Sequence, residues 1–246
     1  MRLQQNNKSL EKELEVKNCL QTVFDPELDE SIIDLNFISS IDIEANELVR
    51  IKLRLPTYFC SANFAWIMCC DTKKAVERLR WVNSVHIKLV DHFVMKKIND
   101  GLKNNRSFSD VFGTKKEMDF LQLRRKFEEK AFLNRQSMLI QFLRTKDLSD
   151  TQILKMSLKN LEILVKKYQN SEFYKNFIRY HDLKKRIVPK KKDNSAFTGL
   201  DGKDIKEQNV LEYLRVLRRT TGSITANSEM CKVLMAERYA AGGQIN

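Results

Sequence analysis

Between residues 40 and 56 the side chains alternate twice. Ile41 and Ile43 alternate with Ser40, Asp42 and Glu44, and Val49, Ile51, Leu53 and Leu55 alternate with Arg50, Lys52 and Arg54. A period of two sends one face of each stretch into a core and the other into water, so both are predicted to be strands. Ala45-Asn46 between them predicts a hairpin, and Pro56 ends the second strand. Before them, residues 8–23 carry Leu10, Leu14, Leu20 and Val23 among Glu and Lys, a helical pattern. It stops at Asp25-Pro26, because a residue that precedes proline leaves the α region. After them, residues 62–80 predict a helix with Phe64, Ile67, Met68, Ala75, Val76 and Leu79 inward. A third strand is predicted with Val85, Ile87 and Leu89 on one face and His86 and Lys88 on the other. The order helix, strand, strand, helix, strand is most simply buried as a small sheet with helices on one face. The crossover from the second to the third strand is right-handed if the two are parallel.

The remainder reads as helical. A linking helix is predicted over 93–103, a turn from Phe108 to Gly113, and a long helix over 115–144 containing Phe120, Leu121, Phe127, Ala131, Met138, Phe142 and Leu143. Ser149-Asp150 and Thr151 cap a helix over 151–169. Another, over 171–187, carries Phe173, Tyr174, Phe177, Ile178 and Tyr180 and is closed by Pro189. Residues 190–203 read as a loop, and two last helices over 204–220 and 226–241 are parted by Thr220-Thr221-Gly222-Ser223. The fold class is therefore α+β: a helix-strand-strand-helix-strand domain over 1–95, then an all-helical basic domain or extension over 96–246. Charge divides the same way. Residues 1–95 hold 12 Lys/Arg and 14 Asp/Glu, and the rest holds 32 and 18, so a net charge of +12 is the sum of −2 and +14. Such asymmetry suggests two units with different partners. A solvated lysine-rich helical surface is the plainer explanation, because charge alone names no partner.

Composition removes several classes. Only 7 Gly and 3 Pro argue against a loop-rich sandwich or a Gly-rich nucleotide enzyme. No G-x-x-x-x-G-K-[ST], G-x-G-x-x-G or G-x-S-x-G occurs, which disfavours an ATPase, a dinucleotide enzyme or a serine hydrolase. No apolar run approaches roughly 20 residues, so no membrane span is expected. No apolar block follows Met1-Arg2-Leu3, so no secretory signal is expected. Five cysteines without a framework spacing fit a reducing, cytoplasmic compartment.

Chemistry gathers at one end of the first unit. The run from Asp25 to Leu35 places carboxylates at the junction of helix and sheet, and Leu55-Pro56-Thr57-Tyr58-Phe59-Cys60 places a thiol between a strand and a helix. A helix N-terminus carries partial positive charge and free N–H groups, which favour a thiolate. Thiolate binds soft metals, including iron in clusters. Nearby Asp or Glu offers harder ligands or proton acceptors. A cysteine before a helix is also commonly an inert, buried one.

Residues 24–38 resemble the signature of the SufT/PaaD-type iron–sulfur assembly domain, in which Asp-Pro-Glu leads to Ile-x-Asp-Leu-Gly and then a strand. Asp25, Pro26, Glu27, Ile32, Asp34 and Leu35 match position by position, and Thr57 and Cys60 match the family's turn into its helix. The resemblance covers roughly residues 10–92. Asn36 stands where the family has glycine, and asparagine tolerates a left-handed backbone. Tyr58-Phe59 replaces a small Pro-Gly pair, and Ser61 replaces a proline. The resemblance implies a non-catalytic scaffold, adaptor or transient carrier in iron–sulfur or other metallocentre maturation. On that reading the site is Asp25, Glu27, Asp34, Thr57 and Cys60. Cys60 supplies the thiolate for iron or a transient iron–sulfur cluster, the carboxylates order the corner or assist a metal, and Thr57 hydrogen-bonds to the turn. The partners are a client metalloprotein or assembly-machinery proteins, and one thiol per chain suggests a homo-oligomer sharing a cluster.

Other candidates carry less. Cys69-Cys70 point about 100° apart on a helix and lack metal spacing. Cys19 and Cys231 are isolated and read as small hydrophobes. His86, His92 and His181 form no ligand pattern, and His86 and His92 read as satisfied surface histidines. Lys184-Lys185-Arg186 and Lys190-Lys191-Lys192 near Tyr174, Tyr180 and Phe197 give a second function class, nucleic-acid binding through phosphates and stacked bases. A structural adaptor with neither metal nor nucleic acid is a third.

Overall fold

A computed structural model of the chain describes residues 2–113, 116–189 and 194–240, with side chains from residue 10 in the first helix and from residue 120 in the helix that begins at 116. Lys190, Lys191 and Lys192 lie outside the described residues. The chain divides into two compact units.

The first unit begins with α1 (Arg2–Leu20), β1 (Ile38–Ile43), β2 (Leu48–Arg54), α2 (Ala62–Val76) and β3 (Ser84–Val90). The sheet order is β1-β2-β3, antiparallel and then parallel. Central β2 buries Val49, Ile51 and Leu53 completely while Arg50 and Lys52 stay exposed, as its alternation predicts. Each such burial contributes about 2 kcal/mol. Ile51 pairs with Ile41 on one side and Ile87 on the other, so one apolar row crosses all three strands. Over this face lie Ile67, Met68 and Val76 of α2 and Val16 and Leu20 of α1. Leu10 and Leu14, predicted with that stripe, are 62% and 58% exposed. They stand about 120° and about 160° round α1 from Val16, which with Leu20 makes the real contact.

This core continues past residue 95. α3 (Met95–Lys103) and α4 (Phe108–Phe112) bring Ile98, Leu102 and Phe108 into it, and Phe120 stacks on Phe108 at 4.3 Å. Phe108 to Gly113 is thus a short helix and not a turn, because Ser107 and Asp110 form a capping box at its start. The unit therefore runs to Gln122, and it takes in the chain from Asn227 onward, where Met235 is buried in the same core. A boundary at 95/96 would cut through this packing.

The second unit, Leu123–Ala226, is mostly helical among its described residues. It draws on α5 (Lys116–Arg144), α6 (Asp150–Leu154), α7 (Leu158–Lys166), α8 (Glu172–Ile187) and α9 (Val210–Tyr239). Phe132, Leu139, Leu143, Ile153, Leu161, Tyr180, Leu183 and Phe197 form its core. The helix expected over 151–169 is broken into α6 and α7. At the break the Met156 carbonyl accepts from the Ala196 N–H (2.8 Å), the Leu158 N–H donates to the Asn194 carbonyl (2.6 Å), and Ser157 caps α7. The break expected at Thr220–Ser223 is absent. α9 runs through Gly222, whose helix cost of about 1 kcal/mol is small against thirty helical residues. Among the described residues no helix is long and apolar enough to cross a membrane.

Gly101 is where α3 meets its neighbours. A Cβ there would lie 2.5 Å from Val111 Cγ2 and 2.9 Å from the Trp66 ring. Gly101→Ala is expected to lower the stability of the first unit by about 1–3 kcal/mol, through overpacking, in urea denaturation followed by tryptophan fluorescence.

Candidate functional site

The acidic motif folds as a tight corner around Asp25. Its Oδ1 accepts the backbone N–H groups of Glu27 (2.8 Å) and Leu28 (2.9 Å), while its own N–H donates to the Glu30 carbonyl and its carbonyl accepts from Asp29. Asp29 adopts φ 50°, and Leu28, Ile32 and Leu35 anchor the corner in the core. Asn36 adopts φ 58°, the left-handed conformation expected where the family has glycine. Asp25 is buried, and desolvation pushes its carboxyl up to about 6 against the pull of the two N–H donors.

The thiol sits at the adjoining end of the sheet. β2 ends at Arg54, Leu55 and Pro56 are buried, and the turn from Thr57 to Cys60 leads into α2. Thr57 Oγ1 lies 3.3 Å from Cys60 Sγ, so the predicted hydrogen bond forms within the turn. Cys60 is half-buried. Its carbonyl accepts a 2.8 Å hydrogen bond from His92 Nε2, and the Val94 N–H approaches His92 Nδ1 at 3.4 Å. These partners require a neutral imidazole with its proton on Nε2. His92 is 0% exposed and burial lowers its pKa, so it is not the surface histidine its place after a polar strand face predicts. A second tie joins the Phe93 N–H to the Tyr58 carbonyl at 3.0 Å. Tyr58, Phe59 and Phe93 stand outside these ties as exposed aromatics. Phe59 is 78% exposed, with ring centroids 5.1 Å from Tyr58 and 6.0 Å from Phe93.

The last part of α9 closes the corner. Asn227 Nδ2 donates to Glu27 Oε1 (3.3 Å), Ser228 Oγ donates to Glu30 Oε1 (2.5 Å), and Lys232 pairs with Glu30 at 3.0 Å. Arg238 pairs with Asp91 at 2.5 Å, and the Tyr239 hydroxyl reaches the Leu55 carbonyl (3.2 Å) and Asp91 Oδ2 (3.0 Å). Between these contacts lies Cys231. Its thiol is pushed up to about 11, first by burial and then by the negative charges of Asp25, Cys60, Glu27 and Glu30. Cys231 packs against the core as the small hydrophobe its sequence suggests, and it also faces this acidic corner.

Of the predicted site residues, Thr57 and Cys60 touch, and Asp25 and Glu27 share the corner that faces Cys231. Asp34 is exposed and accepts from Gln21 Nε2 at 2.7 Å, with no contact to Thr57 or Cys60 among the described residues. His92, Glu30, Asp91 and Cys231 were not predicted, and no motif spacing connects them to Cys60. Among the described residues no three His, Cys, Asp or Glu side chains are grouped to hold a metal ion. One thiol with one hydroxyl falls short of the four-thiolate set of a resident cluster.

Residues 13–89 match the family described as iron–sulfur cluster assembly protein. An uncharacterized protein of Methanocaldococcus jannaschii is 33% identical over 89 residues, covering 92% of that protein and 36% of this chain. The chain belongs to the iron–sulfur cluster assembly protein family. An Fe-S protein maturation auxiliary factor of Porphyromonas gingivalis is 32% identical over 84 residues, covering 78% of that protein and 34% of this chain. No solved structure matches.

The raised pKa of Asp25 has a defined sign. The folded state holds the proton more firmly than the unfolded chain, so stability is full below pH 4, falls between pH 4 and 6, and stays lower above. Asn at this position keeps an oxygen for both N–H groups and carries no charge. Asp25→Asn is expected to be more stable than the parent by roughly 3 kcal/mol at pH 7.5 and equal to it near pH 3.5, in chemical denaturation at both pH values.

Proposed function

We propose that this chain is a non-catalytic maturation factor for iron–sulfur proteins, and that Cys60 is its working thiol. Membership of the assembly family supports the role, and the name of the Porphyromonas gingivalis relative agrees with it. The observation that carries the assignment to Cys60 is its setting. The thiol is half-buried at a strand-to-helix turn, hydrogen-bonded by Thr57, and its backbone is held by a buried neutral histidine. Such a turn presents one sulfur in a fixed place and leaves the other ligands to come from outside. That suits brief contact with a cluster as cargo, or with the client metalloprotein that receives it. Asp25 orders the corner, Glu27 and Glu30 give it negative charge, and Asp34 acts at a distance from the thiol. The exposed Tyr58, Phe59 and Phe93 beside the turn offer apolar area to a client or to assembly machinery. We place this work in the cytoplasm, whose reducing conditions suit a chain of five cysteines without a framework spacing.

Two cations of the basic run are engaged within the second unit. Lys184 donates to the carbonyls of Ser195 and Ala196, and Arg186 pairs with Asp182 and Glu128. These cations serve the second unit's own fold.

Anaerobic reconstitution with iron and sulfide tests the role of Cys60. The parent chain is expected to develop visible thiolate-to-iron absorbance, with two chains per cluster by sedimentation, and Cys60→Ser is expected to lose both. Equal absorbance in the two proteins would remove Cys60 from the role. No absorbance in either would leave a maturation adaptor that does not carry the cluster.

A further inference from the structure

The family match ends at residue 89, yet the carboxylates of its acidic corner are engaged from residues 227–239. On this part of α9, Asn227, Ser228, Cys231, Lys232, Met235, Arg238 and Tyr239 recur at the spacing of one helical face. That face meets the assembly domain at two places. Its first turn takes Glu27 and Glu30. Its last turn takes Asp91 and the Leu55 carbonyl, with the Arg54 guanidinium over the Tyr239 ring at 4.3 Å. Leu55 opens the turn that carries Cys60, and Asp91 precedes the histidine that holds the Cys60 carbonyl, so the last turn grips the thiol's loop at both of its anchors. Met235 seals the middle in the core, and the opposite face, with Met230, Val233 and Leu234, is exposed.

We propose that residues 227–239 are a resident strap that governs access to Cys60: closed, the strap neutralises Glu30 and Asp91, hydrogen-bonds Glu27 through the Asn227 amide and covers the thiol's corner, and opened, it frees both for a basic helix of a partner. The inference rests on Cys60 as the working thiol. The contacts that hold the strap are largely polar: two ion pairs, hydrogen bonds from Asn227 and Ser228 to the Glu27 and Glu30 carboxylates, and the Tyr239 hydroxyl, with Met235 buried and Cys231 and Tyr239 partly buried against the core. Partly exposed ion pairs weaken with salt, and few buried apolar contacts make a segment a low-energy opening unit. The partner's chemistry follows from what the strap itself supplies, cations at both ends of an amphipathic helix with an apolar residue between them.

Access is measured apart from iron loading, so the two claims fail separately. The full chain is labelled with a maleimide under reducing-agent-free conditions, and each cysteine is quantified by peptide mass mapping, with Cys19 on α1 as the internal reference. In Lys232→Glu/Arg238→Glu, labelling of Cys60 and Cys231 relative to Cys19 is expected to rise together by about tenfold. In the unaltered protein the same two ratios are expected to rise between 0.05 and about 0.5 M salt. Unchanged ratios overturn the proposal, as does a rise at Cys60 without one at Cys231. If Cys19 and the buried Cys69 accelerate equally in the variant, it has loosened throughout, and the salt series decides. A flat Cys60 ratio there overturns the strap.

Discussion

The parallel register of β2 and β3 is the constraint on which the site depends. It runs without a shift from Leu48↔Ser84 to Arg54↔Val90, so both strands end at the same level. The turn that carries Cys60 and the segment from Asp91 to Val94 must then leave the sheet side by side. The carboxyl ends of parallel strands are where open sheets build their sites, for this geometric reason. Here the result is His92 beneath the Cys60 carbonyl and Phe93 bonded to Tyr58. A slip of one residue would send Ile87 and Leu89 to the solvent face, so the core itself fixes the register that brings histidine and cysteine together.

The corner around Asp25 shows a different balance. A buried carboxyl with its pKa pushed up to about 6 is not a stabilising choice at neutral pH when asparagine could accept the same two N–H groups. The residues that satisfy the backbone and the residue that bears charge are here the same one. In a family concerned with metal clusters, that combination places an acid of unusual proton affinity next to a thiol-bearing face, while Glu27 and Glu30 remain at its rim.

Much of this was legible from local pattern. Alternation gave β1, β2 and β3 because a half-buried strand must alternate, and Asn36 could be read as left-handed because asparagine is one of the few residues that adopts that backbone readily. Thr57 was legible as a hydrogen-bonding residue of the turn, and its partner there is Cys60. What escaped reading depends on contacts far apart in the chain. His92 follows an exposed strand face, and only the neighbouring strand's loop turns it inward. Cys231 lies in a helix whose own sequence names no partner. The α6–α7 break comes from pairing with residues 194–196, which no helical pattern in 151–169 records. Leu10 and Leu14 misled because an apolar pair four residues apart marks a helix face without saying which face the core takes.

The first unit is also discontinuous, with the last part of α9, from Asn227, separated from the rest by the whole of Leu123–Ala226. At ordinary ribosomal speeds of roughly 5–20 residues per second, the sheet and its acidic corner emerge several seconds before the segment that covers them. During that interval a nascent chain displays Glu30 and Asp91 without their cationic partners and Glu27 without the Asn227 amide. Newborn molecules thus pass through a bare form that finished ones have left behind, and the age of the polypeptide becomes a variable in what it can meet.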